Sequence, residues 1–176
     1  MRLPFQEQPV MTDTPLVLGQ VSRQADTVQV VITRTFDHAL ATVWAALTEP
    51  ARLGQWLAPG EIELHQGGRA RLDFIDSGTT IDSQVSAFKP GVLLEYSWSE
   101  PGEPLRPVRW ELQADGPAAT RLVLTLTVPA GEDAGRAAAG WEAHLEMLAA
   151  ALEDVPIKFP FEHFKAAREA YRALLA

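Results

Sequence analysis

The chain has 176 residues, 47% of them apolar, with a formal charge of −8 and no cysteine. That length suits one domain with a sizeable core, since single domains commonly run to about 100–200 residues. The acidic balance argues against nucleic acid or an anionic membrane surface as a main partner, and the lack of cysteine removes disulfides, thiolate nucleophiles and cysteine metal sites.

Residues 1–24 open with MRLPFQEQPVMTDTPL, which is broken by Pro4, Pro9 and Pro15 and by the polar run Gln6, Glu7 and Gln8. No signal-peptide core forms there, so a flexible arm and a cytoplasmic location are expected. No stretch reaches the ~18 consecutive apolar residues that a membrane helix requires. The main domain is expected over 25–154. It starts with TVQVVITRTF, where Val28, Val30 and Ile32 share one side of a strand at period two. Asp37 is the expected N-cap of a short helix on which Leu40, Val43, Trp44 and Leu47 recur at helical spacing. Thr48 is expected to cap a second short helix, with Pro50 in its first turn, Leu53, Trp56 and Leu57 on its apolar side, and Pro59-Gly60 ending it.

From 61 to 128 the pattern turns to short alternating stretches, predicting five or six antiparallel strands. The inner face collects Ala70, Leu72 and Phe74, then Ile81 and Val85, then Leu94, Tyr96 and Trp98; Val108, Trp110 and Leu112 follow, then Leu122, Leu124 and Leu126. The alternate positions Arg71, Asp73, Asp82, Glu95, Ser97, Arg109 and Glu111 are expected in solvent, leaving the sheet covered on one side. Past Pro129, Asp133 can cap a helix running to about Glu153. Its inward stripe is Trp141, Leu145, Leu148 and Leu152, with His144 and Met147 at the edge. Gly140 weakens that helix by about 1 kcal/mol, which implies a close neighbour for its backbone. Residues 155–176 hold KFPFEHFKAAREAYRALLA, read as an additional amphipathic helix begun by Pro160. Phe161, Phe164, Tyr171 and Leu174 or Leu175 form its apolar side, expected to dock on the body rather than bind a partner.

Chemical signals are sparse. His38, His65, His144 and His163 are scattered, without the spacing of a metal site, and neither a Gly-x-Ser-x-Gly elbow nor a Walker lysine occurs, so no metal or cofactor is expected. Asp73, Asp76, Asp82 and Glu95 fall at outward or turn positions and form no acid–base pair. His144, one turn after Trp141, is the candidate general base; its plainer reading is a hydrogen-bonded edge residue. Phe74, Tyr96, Trp98, Trp110 and Trp141 converge on the inner face, either as core or as a binding surface.

Four segments, VWAALTEPARLGQWLAP, GRARLDF through VLLEYSW, TRLVLTLTV and GWEAHLEMLAAAL, together resemble the activator of HSP 90 ATPase homologue 1-like family of the START-like (SRPBCC) superfamily, over about 28–154. The resemblance implies an α+β helix-grip fold: a curved antiparallel sheet wrapped around a long C-terminal helix, with two short helices after the first strand and an apolar cavity between sheet and helix. Candidate cavity residues are Phe74, Ser83, Tyr96, Trp98, Trp110, Trp141, His144, Leu145 and Leu148. Of these, Ser83, Tyr96, Trp98, Trp110 and His144 offer polar anchors. Where many relatives carry Leu-Thr-His after the last strand, this chain has Leu126-Thr127-Val128, so any role of that histidine is absent. The leading functional expectation is binding of a hydrophobic or aromatic small molecule. The alternatives are a cyclase or hydrolase using His144 as acid/base, and a stress-response protein acting on a chaperone partner through its surface.

Overall fold

Residues 16–176 are described by the computed structural model. In chain order the elements are β1 (Gln20–Arg23), β2 (Thr27–Phe36), α1 (Leu40–Thr48), α2 (Pro50–Trp56), β3 (Gly60–Ile62), β4 (Arg69–Phe74), β5 (Thr79–Lys89), β6 (Leu93–Ser97), β7 (Pro107–Ala114), β8 (Thr120–Pro129), α3 (Ala134–Leu152) and α4 (Phe161–Leu175). Among them no helix is long and apolar enough to cross a membrane.

Alternation produces the sheet, because period-two apolar residues all reach one face. Eight antiparallel strands lie in the order β1-β2-β8-β7-β6-β5-β4-β3. From β3 onward each strand pairs with the next, whereas β2 pairs with β8, setting Val30 opposite Leu126 and Ile32 opposite Leu124. A register shift between Val85 and Ala87 interrupts the β5–β6 ladder, and such bulges bend and twist a sheet. The open, curved sheet grips α3, whose Trp141, Leu145, Leu148 and Leu152 are buried against it. Each such leucine contributes about 1.5–3 kcal/mol by leaving water. This is the helix-grip arrangement. The indole of Trp56 donates to the Ala46 carbonyl at 2.8 Å and meets Trp110 edge to face, tying the α1–α2 pair to the core.

Several local expectations are corrected. Residues 20–23, placed by sequence in a flexible arm, form β1 on the outer edge of β2, and Leu16, Leu18 and Val21 pack on the core; residues 1–15 lie outside the described residues. The free edge of β2 offers the ladder partners, and the Gly19 N–H donates to the Tyr171 hydroxyl at 2.7 Å. Helix α1 is capped at Ala39 without a side-chain bond, so Asp37 lies too early to cap it. Thr48 spends its hydroxyl on the Trp44 carbonyl at 2.8 Å inside α1, and α2 begins from Glu49 with Pro50 in the first turn. Ser97 is buried rather than solvated, because its hydroxyl bonds that of Ser99 at 2.8 Å and accepts from the Arg106 N–H under the β6–β7 loop. At α3 the expectation matches: the Asp133 carboxylate accepts from the Arg136 N–H at 2.9 Å.

Helix α4 lies on α3, burying Ala167 and Tyr171. The Tyr171 hydroxyl donates to Glu142 Oε1 at 2.6 Å, and Arg34 pairs with the other carboxylate oxygen. Glu142, a mid-helix carboxylate only 1% exposed, is thus fully engaged, as a buried charge must be.

Candidate functional site

At the turn where β4 ends and β5 begins, the sheet and α3 diverge, and the connection from α3 to α4 crosses the opening. The result is a solvent-open cleft of about 540 Å³. Phe74, the last residue of β4, keeps the inward parity of Ala70 and Leu72 but sits at the rim, half-buried. Trp98, just past β6, does the same. Helix α3 contributes Gly140, Trp141 and His144 as the floor, and Phe159, Phe161 and Phe164 close the far side.

The rings form a continuous edge-to-face array, the geometry their quadrupoles favour. Trp98 meets Phe74 at 5.7 Å and Trp141 at 4.7 Å, with interplanar angles of 79° and 71°. Phe159 packs on His144 at 5.5 Å and on Phe161 at 4.9 Å. Trp141 continues the array inward to Trp110 at 5.4 Å, so the cleft wall is one layer of a rigid core. A smaller recess of about 110 Å³ shares Trp98 and Trp141 with the cleft and adds Val108, Leu126 and Val128.

His144 is the one imidazole on this wall. Its Nδ1 lies 3.0 Å from the Trp56 carbonyl, which can only accept, so Nδ1 carries the hydrogen and Nε2 of the neutral ring is left as an acceptor. Burial pushes the pKa below that of an ordinary imidazole, opposed by the Trp56 carbonyl, which favours the charged form. Among the described residues no carboxylate bonds the ring. Among the described residues no group of three or more His, Cys, Asp or Glu side chains is placed to hold a metal ion.

Of the nine residues expected in the cavity, Phe74, Trp98, Trp141 and His144 come together on the cleft. Tyr96, Trp110, Leu145 and Leu148 lie behind it, each 1% exposed or less, as core. The Tyr96 hydroxyl is buried behind the cleft lining and does not reach a ligand there; the same burial holds the phenol well above its usual pKa, opposed by the Trp110 indole. Ser83 faces inward beside Ala70, its buried hydroxyl without a hydrogen-bond partner among the described residues, away from this cleft. Period two assigns a face but not a depth, which explains the division. Phe159 falls on no periodic stripe, and the spacing of Phe161 and Phe164 points only to helix packing; the aromatic cluster around Pro160 is the available signal. Gly140 also departs from expectation, since a Cβ built on it meets nothing within 4 Å.

The family described as activator of Hsp90 ATPase homolog 1-like protein matches residues 37–153. A comparison with curated proteins returns no match. Among solved structures, CalU16 from Micromonospora echinospora superposes with a TM-score of 0.73 at 23% identity, over 90% of this chain and 95% of that one, a likeness of fold alone. The protein encoded by BPP1335 from Bordetella parapertussis gives 0.67 at 26% identity, over 88% and 89%. DynU16, from the dynemicin biosynthetic locus, gives 0.64 at 30% identity; the match covers 71% of this chain and 47% of DynU16. With two thirds of its length matched to one family and a sheet that grips its long helix, the chain belongs to the activator of Hsp90 ATPase homolog 1-like family of the START-like superfamily.

Proposed function

We propose that the protein binds a small apolar or aromatic molecule in the cleft between the sheet end and α3. The observation that carries this reading is the ring array itself: Phe74, Trp98, Trp141, Phe159, Phe161 and Phe164 surround about 540 Å³ of open space, with the His144 Nε2 acceptor among them. A largely apolar recess with a few polar points is the usual form of a small-molecule site. The likeness to DynU16, a protein of a biosynthetic locus, supports a small-molecule setting.

Native mass spectrometry of protein purified from its own host, with thermal shift and tryptophan-fluorescence titration against aromatic metabolites, tests the reading. A bound ligand at 100 times its Kd raises stability by about 2.7 kcal/mol. The expected outcome is a saturable response that Trp98→Ala weakens at least tenfold. A flat response across the panel, with no co-purified molecule, overturns it.

The neutral, half-buried His144 favours a second reading, in which the cleft folds a substrate and Nε2 takes a proton from it, as in a cyclase or hydrolase. His144→Gln separates the two: under this reading turnover of a bound substrate disappears while its affinity persists.

A further inference from the structure

Arg136, Gly140 and His144 are spaced four and four residues apart, so they stand in one row along α3, about 12 Å from first to last. All three line the cleft. Gly140 is the informative member. Glycine weakens a helix interior, and the usual compensation is a neighbour that needs the room. Gly135 has such neighbours, with Tyr171 and Leu175 side-chain atoms 3.4 Å from its ideal Cβ. Gly140 has none within 4 Å, so no part of the described chain accounts for it; what the missing methyl preserves is the cleft floor.

The ends of the row are chemically opposite. Arg136 is the cleft's one cation among the described residues, and its guanidinium has no carboxylate partner there, whereas Arg34, Arg69, Arg106 and Arg109 each hold one. Asp133 lines the same end of the cleft but does not serve Arg136: its carboxylate caps α3 through the Arg136 backbone N–H and faces Arg168 at 3.8 Å. His144 presents an acceptor. An anionic group suits one end, a hydroxyl or N–H donor suits the other, and flat rings suit the aromatic walls between.

We propose, resting on the binding reading above, that the ligand is a planar aromatic acid lying along α3 over Gly140, with its carboxylate on Arg136 and a hydrogen-bond donor on His144. Gly140 is then a specificity-determining residue that keeps the floor low enough for the ring to pass.

Two compounds serve as probes of the full chain by fluorescence titration: 6-hydroxy-2-naphthoate, and 2-naphthol, which keeps the ring and donor but lacks the carboxylate. The naphthoate should bind about tenfold tighter, and Arg136→Gln should abolish that difference while leaving 2-naphthol affinity unchanged. Gly140→Ala should raise the melting temperature by roughly 2–4 °C and still weaken both compounds about tenfold. Equal affinities in the unaltered protein, or a preference that survives Arg136→Gln, overturn the acid while leaving the binding reading intact. Stabilisation by Gly140→Ala with undiminished binding overturns the role of the glycine. Failure of both compounds to bind overturns this inference alone; the binding reading falls only with a flat response across the metabolite panel and no co-purified molecule.

Discussion

At the scale of single residues, His144 shows how one side chain links packing to chemistry. Its environment favours the neutral ring, so its folded-state pKa lies below the value of 6.5 usual for imidazole, chiefly through burial. The unfolded chain therefore takes up this proton more readily. The stability that the neutral ring contributes is present above about pH 6.5 and is lost as the pH falls through the lower folded value. Melting curves from pH 8 to pH 5 should show an acid decline that His144→Gln flattens; parallel curves for the two proteins would refute this assignment. The residues that sequence placed on the inner face are there, but parity could not separate Trp98 at the rim from Tyr96 in the core, two positions along the same row. That distinction depends on where β6 ends relative to α3.

Among the elements, helix starts expose the difference between a plausible cap and a used one. Asp133 stands immediately before α3 and its carboxylate reaches the Arg136 N–H, so Asp133→Ala should cost about 1 kcal/mol in urea-induced unfolding. Asp37 was an equally good candidate by residue type, yet α1 begins at Leu40 from an Ala39 cap, so Asp37→Ala should stay within about 0.5 kcal/mol of the parent. Equal effects would refute the assignment. The stripes of α3 and α4 were legible because each repeats at helical period over several turns. Strand β1 was not, since four residues with one partly buried side chain carry no periodic signal and depend on the open edge of β2.

For the whole molecule, the Tyr171 hydroxyl is a joint between distant parts of the chain. It accepts from Gly19 ahead of β1 and donates to Glu142 of α3, which also holds Arg34 of β2. Burial raises the Glu142 pKa above the usual carboxylate range, opposed by those two partners. Tyr171→Phe strands the Gly19 N–H and leaves Glu142 with Arg34 alone, a loss of about 1–3 kcal/mol. Hydrogen exchange should quicken across β1 and α4 together in that variant; a change confined to α4 would disprove the coupling. By itself the sequence determined the strands from β4 to β8, the turns between them and the buried stripe of α3, because those features rest on periods of two and 3.6 residues and on turn chemistry within a few positions. Only the tertiary structure decided that β2 pairs with β8, that α4 buries Glu142, and that Phe159 and Gly140 face one cleft. Each of those depends on surfaces brought together from far apart in the chain, and local spacing carries no information about that approach.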